Sequence, residues 1–337
     1  MCKTTCELCG ALLTDENRID KREEVRYGSI CGSCLENLHK DDEHHEYGRS
    51  IVRSHRLNNF SYWYPKIESC GIKTPRSLIF KVPSNIQEIL MSDYEDGQFE
   101  IVDEWVKKEI LPVIKKKGMH LLFVKNGTFS AKFDATSCFV TPTRVTESII
   151  SINYDALILG AGGFGEVIIR ERILHNQKVI PCIYNGLPLR NEFRVFYDFT
   201  KKEVIFTENY WRYDYVFPKL MDATDKIIFE HEKERVEEVF ASKKQEVEEL
   251  VARAMESVTT LEGPWSVDIM YESGEYYLID MALAEMSAYW EERPGNKAAF
   301  ERAKEVAKKR EAARAPIKFD IMDPAEVERL EKLTLEG

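Results

Sequence analysis

Two aspartates, Asp268 and Asp280, constrain this chain most. They lie in Trp265-Ser266-Val267-Asp268-Ile269-Met270-Tyr271 and Tyr276-Tyr277-Leu278-Ile279-Asp280-Met281-Ala282, two apolar, β-prone runs separated by Glu272-Ser273-Gly274-Glu275. Such a pair of runs predicts a β-hairpin. A three-residue loop, Ser273 to Glu275, with Gly274 at positive φ, places Asp268 opposite Asp280. Their Cβ atoms then lie roughly 4.5–5.5 Å apart on one face. Two like charges so placed repel, and a bridging cation removes the repulsion. Magnesium, which takes one or two carboxylates together with nucleotide phosphates, suits such a pair. On this reading the charges only repel without metal, so neutralising either should cost no stability. A slip of one residue sends the two side chains to opposite faces instead.

The rest of the chain sets the frame. Its 337 residues are enough for more than one domain. With 44% apolar and 31% charged residues it has the composition of an ordinary globular protein. It holds no run of 18 apolar residues, so no membrane span is expected. Met1-Cys2-Lys3-Thr4-Thr5-Cys6 lacks the apolar core of a secretory signal, and a cytoplasmic location is expected. A net charge of −11 argues against extensive nucleic-acid binding.

Five of the eight cysteines fall within the first 34 residues. Cys6-x-x-Cys9 and Cys31-x-x-Cys34 have the spacing by which two turns deliver four thiolates to one tetrahedral zinc ion. Reduced thiols or a disulfide are the alternatives; Cys2, His39, His44 and His45 are weaker substitute ligands. Residues 1–48 carry eleven acidic and six basic residues, which suits a protein-contacting or structural ribbon better than a phosphate binder.

Local patterns give a coarse order of elements. Strands are expected over Ser77–Val82, His120–Val124 and Val167–Ile173, and helices over Phe99–Lys117 and Glu147–Leu159. A second hairpin joins Glu192–Tyr197 to Glu203–Phe206. Charged helices are expected over Asp225–Ser257 and Ala298–Ala313. Gly160-Ala161-Gly162-Gly163-Phe164-Gly165 satisfies Gly-x-Gly-x-x-Gly, yet Val167-Ile168-Ile169 start a helix poorly. Leu187, Pro188 and Leu189 stand where the ribose-binding acid of a dinucleotide site belongs. A plain turn, or a glycine-rich loop beside a nucleotide pocket, is the expectation. The aromatic run Tyr210–Tyr215 reads equally as interaction surface and as core.

The order of lysines, arginines and aspartates resembles the ATP-grasp fold and, more narrowly, the cell-division-cycle 123 family, the ATP-grasp-like assembly factors of eukaryotic translation initiation factor 2. The resemblance spans roughly residues 60–292. It rests on Lys125-Asn126 through Ser130, Lys132, Asp134 and Ala135; on Val167–Arg172; on Glu192-Phe193-Arg194; and on Val267-Asp268-Ile269 with Leu278-Ile279-Asp280. It implies an α+β chain with two α+β subdomains enclosing a nucleotide, plus the small N-terminal ribbon and a helical C-terminal tail. The expected domains are 1–48, 49–135, 136–292 and 293–337.

The resemblance also implies roles. Lys125 and Arg194 address phosphate, and Lys132 does so more weakly. The strand of Arg170, Glu171 and Arg172 holds adenine, and Asp268 and Asp280 hold magnesium. The family's asparagine ligand is replaced by Ala282, and Glu285 is the expected substitute. ATP, magnesium and zinc are thus the expected cofactors, and a protein or peptide the expected partner or substrate. Three activities remain open. One is an ATP-dependent ligase joining a carboxylate to an amine. The second is an ATP-binding assembly factor. The third is a nucleotidyl or phosphoryl transferase acting on protein or RNA. Arg144, Arg190 and Arg212 are scattered in sequence and reveal no second basic pocket.

Overall fold

The structure is a computed structural model, and it describes residues 5, 6, 13, 14, 18, 19, 31, 32, 56–91, 98–159, 161–163, 165–174 and 180–287. Contacts divide the chain into two compact units, 1–50 with 305–337, and 51–304. In the first unit, Arg18 and Cys31 form an antiparallel bridge. The buried Cys31 N–H donates to the buried Cys6 Sγ at 3.3 Å. Cys9, Cys34 and the expected helix over 298–313 lie outside the described residues.

The second unit is built on two four-stranded antiparallel sheets. The first, in order β1-β4-β2-β3, uses β1 (Ser77–Lys81), β2 (Leu122–Asn126), β3 (Phe139–Val140) and β4 (Glu166–Glu171). A short β5 (Cys182–Ile183) and β6 (Leu187–Pro188) pair with each other. The second large sheet runs β10-β9-β7-β8, from β7 (Asn191–Asp198), β8 (Glu203–Asn209), β9 (Pro264–Glu272) and β10 (Glu275–Leu283). Sheet membership divides the two halves after β4, later in the chain than the expected 135/136.

The helices are α1 (Phe60–Ile67), α2 (Ser84–Leu90), α3 (Gln98–Trp105), α4 (Leu111–Lys116), α5 (Ala135–Cys138), α6 (Val145–Ile158), α7 (Tyr213–Val216) and α8 (Ala223–Glu256). The expected single helix over 99–117 is interrupted by a π-helical turn, Val106–Ile110. Pro112 follows at once, and its missing N–H cannot close the ordinary ladder. Gly118, at φ 63°, then ends the segment. Asp222 opens α8 by accepting from the backbone of Thr224 at 2.7 Å and Asp225 at 3.0 Å.

Each sheet packs one face against a large apolar core. Val124, Val167 and Ile169 pack with Val102, Ile110, Ile149 and Ile152 on the first. Phe193, Val195, Trp265, Val267 and Ile269 pack with Phe60, Trp63, Val247 and Val251 on the second. Strand alternation then turns Glu192 and Arg194 from β7 and Asp268 from β9 away from the second core, and turns Arg170 from β4 away from the first core and toward Phe60 of the second. The fold class is α+β, as expected. Among the described residues no helix is long and apolar enough to cross a membrane.

Candidate functional site

The aspartate hairpin forms, but by a different device from the expected one. Glu272 pairs with Glu275 across a two-residue turn, with Ser273 at φ 53° and Gly274 at φ 86°. Both positive values belong to the turn type that matches strand twist. That tight turn alone pairs Asp268 with Ile279. A bulge between Leu278 and Asp280 shifts the register, so Leu278 faces Ile269 and Asp280 faces Asp268. Leu278 stays in the core at 0% exposure, while Ile279 and Asp280 line the cleft opposite. Outside the bulge, the Leu278 N–H donates to the Lys73 carbonyl at 2.8 Å. The three-residue loop read from the sequence is therefore corrected, although the pair of carboxylates it produced is present.

The repulsion argument also needs correction, because each carboxylate has its own cation. Arg194 meets Asp268 with two parallel bonds of 2.8 Å each. Lys125, 3% exposed, reaches both oxygens of Asp280 at 3.0 and 3.1 Å. Removing the Asp280 charge would leave a buried ammonium unpaired, at a cost of about 1–3 kcal/mol. The expectation that neutralising either aspartate costs no stability does not hold in this geometry.

These contacts shift the protonation equilibria in consistent directions. Burial lowers the Lys125 pKa from its ordinary value; Asp280 opposes this and Arg170 adds to it. For Asp280, burial works upward, yet Lys125 and Arg170 prevail and hold the carboxyl below its usual range. Burial likewise works against the Arg194 charge, and Asp268 overrides it, so the guanidinium is held more firmly protonated than usual.

The sequence predicts Arg170, Glu171 and Arg172 at the site, and all three line the cleft, each with different partners. Arg170 is 3% exposed and lines the cleft. Its guanidinium donates to the Ile279 carbonyl and, at 3.2 Å, to Ser77 Oγ. Its Nη2 has no hydrogen-bond partner among the described residues. Burial brings its pKa down to about 10, with Asp280 and Tyr64 opposing. The ring of Phe60 lies beneath both Arg170, at 5.2 Å, and Lys125, at 5.8 Å. Arg172 stacks on Phe139 at 4.6 Å. Glu171 is bound by Arg76 at 2.8 and 3.1 Å on the exposed side.

Lys132 also lines the cleft, where its ammonium meets the Tyr210 hydroxyl. Burial opposes its charge, but Tyr210, Glu192 and Asp268 raise its pKa overall. The side chain of Glu285 lies outside the described part of the turn Ala284–Met286. Among the described residues no group of three or more His, Cys, Asp or Glu gathers in one place. Two facing carboxylates are nonetheless a donor set that suits magnesium carried on phosphates.

Two residues that the sequence reading named but gave no role at the site belong here. Glu192 lies two residues before Arg194, on the same face of β7, and lines the cleft at 9% exposure. Burial raises its pKa to about 7, and Asp268 adds to this against the pull of Lys132, Arg190 and Arg194. A polar residue alternating with apolar ones on a strand already marked by Arg194 was the available signal. Arg190 is also brought into the cleft, donating to the Ile173 carbonyl at 2.6 Å and lying 3.9 Å from Glu272. Arg144 and Arg212 instead pair locally with Glu147 and Asp214.

The glycine-rich segment does not form a dinucleotide site, because a strand, β4, follows it. Gly163, at φ 91°, receives the Gly127 N–H on its carbonyl at 3.1 Å. A side chain there would come within 2.6 Å of the Thr128 nitrogen. The segment thus braces the turn after Lys125. Asn126 shapes that turn, accepting from Thr128 at 3.1 Å and Phe129 at 2.7 Å.

A cleft between two antiparallel α+β halves, with cations and a carboxylate pair at its centre, is an ATP-grasp-like layout. No protein-family model matches the chain. No curated relative matches it either. Similar solved structures include C-terminally truncated Cdc123 from Schizosaccharomyces pombe, at 15% identity and a TM-score of 0.45, covering 68% of this chain and 85% of that one. VanG D-Ala:D-Ser ligase from Enterococcus faecalis is similar at 13% identity and a TM-score of 0.36, covering 67% and 52%. D-alanine–D-alanine ligase from Bacillus anthracis, complexed with ATP, is similar at 12% identity and a TM-score of 0.34, covering 75% and 61%. At such identities these are resemblances of fold, and no activity is transferred from them.

Proposed function

We propose that the cleft binds ATP with magnesium and that the chain is an ATP-dependent ligase. The observation that carries this reading is the buried guanidinium of Arg170, whose Nη2 lacks a partner among the described residues and which shares the Phe60 ring with Lys125 beside the facing aspartates. A buried donor left unpaired costs free energy, and an anionic ligand satisfies it. The cleft and its neighbouring cations offer groups suited to each part of a nucleotide. Phe139, Ile173, Pro188 and Met270 give an apolar end for a base. Glu192 accepts from ribose hydroxyls, about 6.6 Å along the strand from Arg194. Lys125, Lys132, Arg170 and Arg194 serve the phosphates, and Asp268 and Asp280 hold magnesium, which offsets phosphate charge.

In the ligase reaction a substrate carboxylate attacks the γ-phosphorus, and ADP leaves. An amine then attacks the acyl carbon of the acylphosphate, loses a proton, and expels inorganic phosphate. Neither step needs a side-chain nucleophile, and the described lining contains no Cys or His. The chain's contribution is positioning and charge neutralisation. For the N-terminal unit we propose one zinc on Cys6, Cys9, Cys31 and Cys34, supported by the N–H of Cys31 on the Cys6 sulfur.

Calorimetry with ATP and with adenosine tests the nucleotide reading. Lys125→Ala should weaken ATP by about tenfold or more, the value of one charge-assisted contact, and leave adenosine unchanged. Equal loss for both ligands would remove Lys125 from the phosphates. Incubation with labelled ATP and a lysate should release ADP; release of AMP with a labelled macromolecule would favour nucleotidyl transfer.

A further inference from the structure

We infer that Tyr210 is a positioning residue that sets the spacing of two phosphate-facing cations, Lys132 and Arg194; this rests on the nucleotide reading above. Tyr210 follows β8 directly. Its backbone N–H donates to the Glu192 carbonyl at 3.0 Å, which fixes it beside β7. The adjacent Trp211 is 4% exposed and packs edge-on to it at 5.1 Å. Asn209 Oδ1 accepts the backbone N–H of Trp211 at 3.0 Å, so the turn that presents Tyr210 is itself braced.

On this platform two cations from different parts of the chain meet one ring. The Arg194 guanidinium lies 4.7 Å from the ring centroid. The Lys132 ammonium lies 4.1 Å from it and donates to the phenolic oxygen. Arg194 comes from the second sheet, whereas Lys132 follows β2 of the first. Two like charges do not approach one another unaided. A ring quadrupole attracts both, and the hydroxyl adds a directed bond to one of them. Asp268 neutralises Arg194 through two bonds. Lys132 has no carboxylate at bonding distance among the described contacts; the phenol is its partner. A phosphate entering the cleft therefore finds Lys132 placed by Tyr210 and free to offer its remaining N–H donors.

Tyr210→Phe removes only the hydroxyl and keeps the ring under Arg194. Tyr210→Leu removes both. Calorimetry of the full chain with magnesium and ATP, and separately with adenosine, reads the effect. Tyr210→Phe should weaken ATP about fivefold to tenfold and leave adenosine unchanged, and Tyr210→Leu should weaken ATP further. The decisive measurement is a double-mutant cycle with Lys132→Met. In that background Tyr210→Phe should change ATP affinity less than twofold, because the group it positions is gone. A merely structural role gives the same loss in both backgrounds and for both ligands, and that result overturns the inference. So does an affinity of Tyr210→Phe within twofold of the parent. If Tyr210→Leu fails to fold, Tyr210→Phe decides alone. Failure of the parent to bind ATP overturns the nucleotide reading and this inference with it; parent binding with unaffected Tyr210 variants overturns this inference only.

Discussion

Glu192 is where charge, burial and stability meet at the scale of one residue. The residue is 9% exposed, and burial lifts its pKa to about 7 from an ordinary 4.5. Asp268 pushes it further up, and Lys132, Arg190 and Arg194 pull against both. The folded state thus holds the proton more tightly than the unfolded chain. Below about pH 4.5 both states are protonated and the difference vanishes. As pH rises from there through about 7, the unfolded state loses its proton first and gains relative stability, up to about 3 kcal/mol. Glu192→Gln has no proton to lose. Its melting temperature relative to the parent should therefore rise between pH 5 and pH 8, by thermal melts in matched buffers. A gap that stays constant across that range would show that Glu192 is not so perturbed.

At the scale of elements, the turn after β2 and the segment before β4 act together. Gly163 sits at φ 91°, and a Cβ there would meet backbone at 2.6 Å, in Thr128. Gly165 has no neighbour within 4 Å of its Cβ position and no positive φ. Gly163→Ala should therefore destabilise the protein by about 1–3 kcal/mol, through strain and overpacking. Gly165→Ala should be near neutral. Urea denaturation distinguishes them, and equal effects would refute the bracing role. The position of β4, immediately after these glycines, also explains why the Gly-x-Gly-x-x-Gly pattern misleads. The spacing is that of a phosphate-binding turn, but the β-branched residues that follow make a strand, so no helix N-terminus is offered to phosphate.

For the whole molecule, two compact units share one chain, and their chemistries should separate. Metal analysis of protein never exposed to chelator should find one zinc per chain. Cys6→Ser and Cys31→Ser should each lose it, while ATP affinity stays within twofold, because every residue of the candidate nucleotide site lies in 51–304. Unchanged zinc in both variants would end the proposal.

Much of this protein was legible in the linear sequence. The strands, the long charged helix and the hairpins follow from local periodicity, which is a property of neighbouring residues. The order of residue types also carries the resemblance, and it is the resemblance that implies candidate roles for Lys125, Arg194 and the two aspartates. What only the tertiary structure decided depends on partners far apart in the chain. The bulge at Ile279 turns Asp280 to the cleft while Leu278 stays buried. Lys125 pairs with Asp280 across 155 positions and Arg194 with Asp268 across 74, which converts an apparent repulsion into two ion pairs. Tyr210 and Glu192 gained meaning only when β7 and β8 brought them beside Lys132. A sequence specifies each residue's chemistry and local conformation; desolvation and charge pairing arise only when distant segments exclude water from one another.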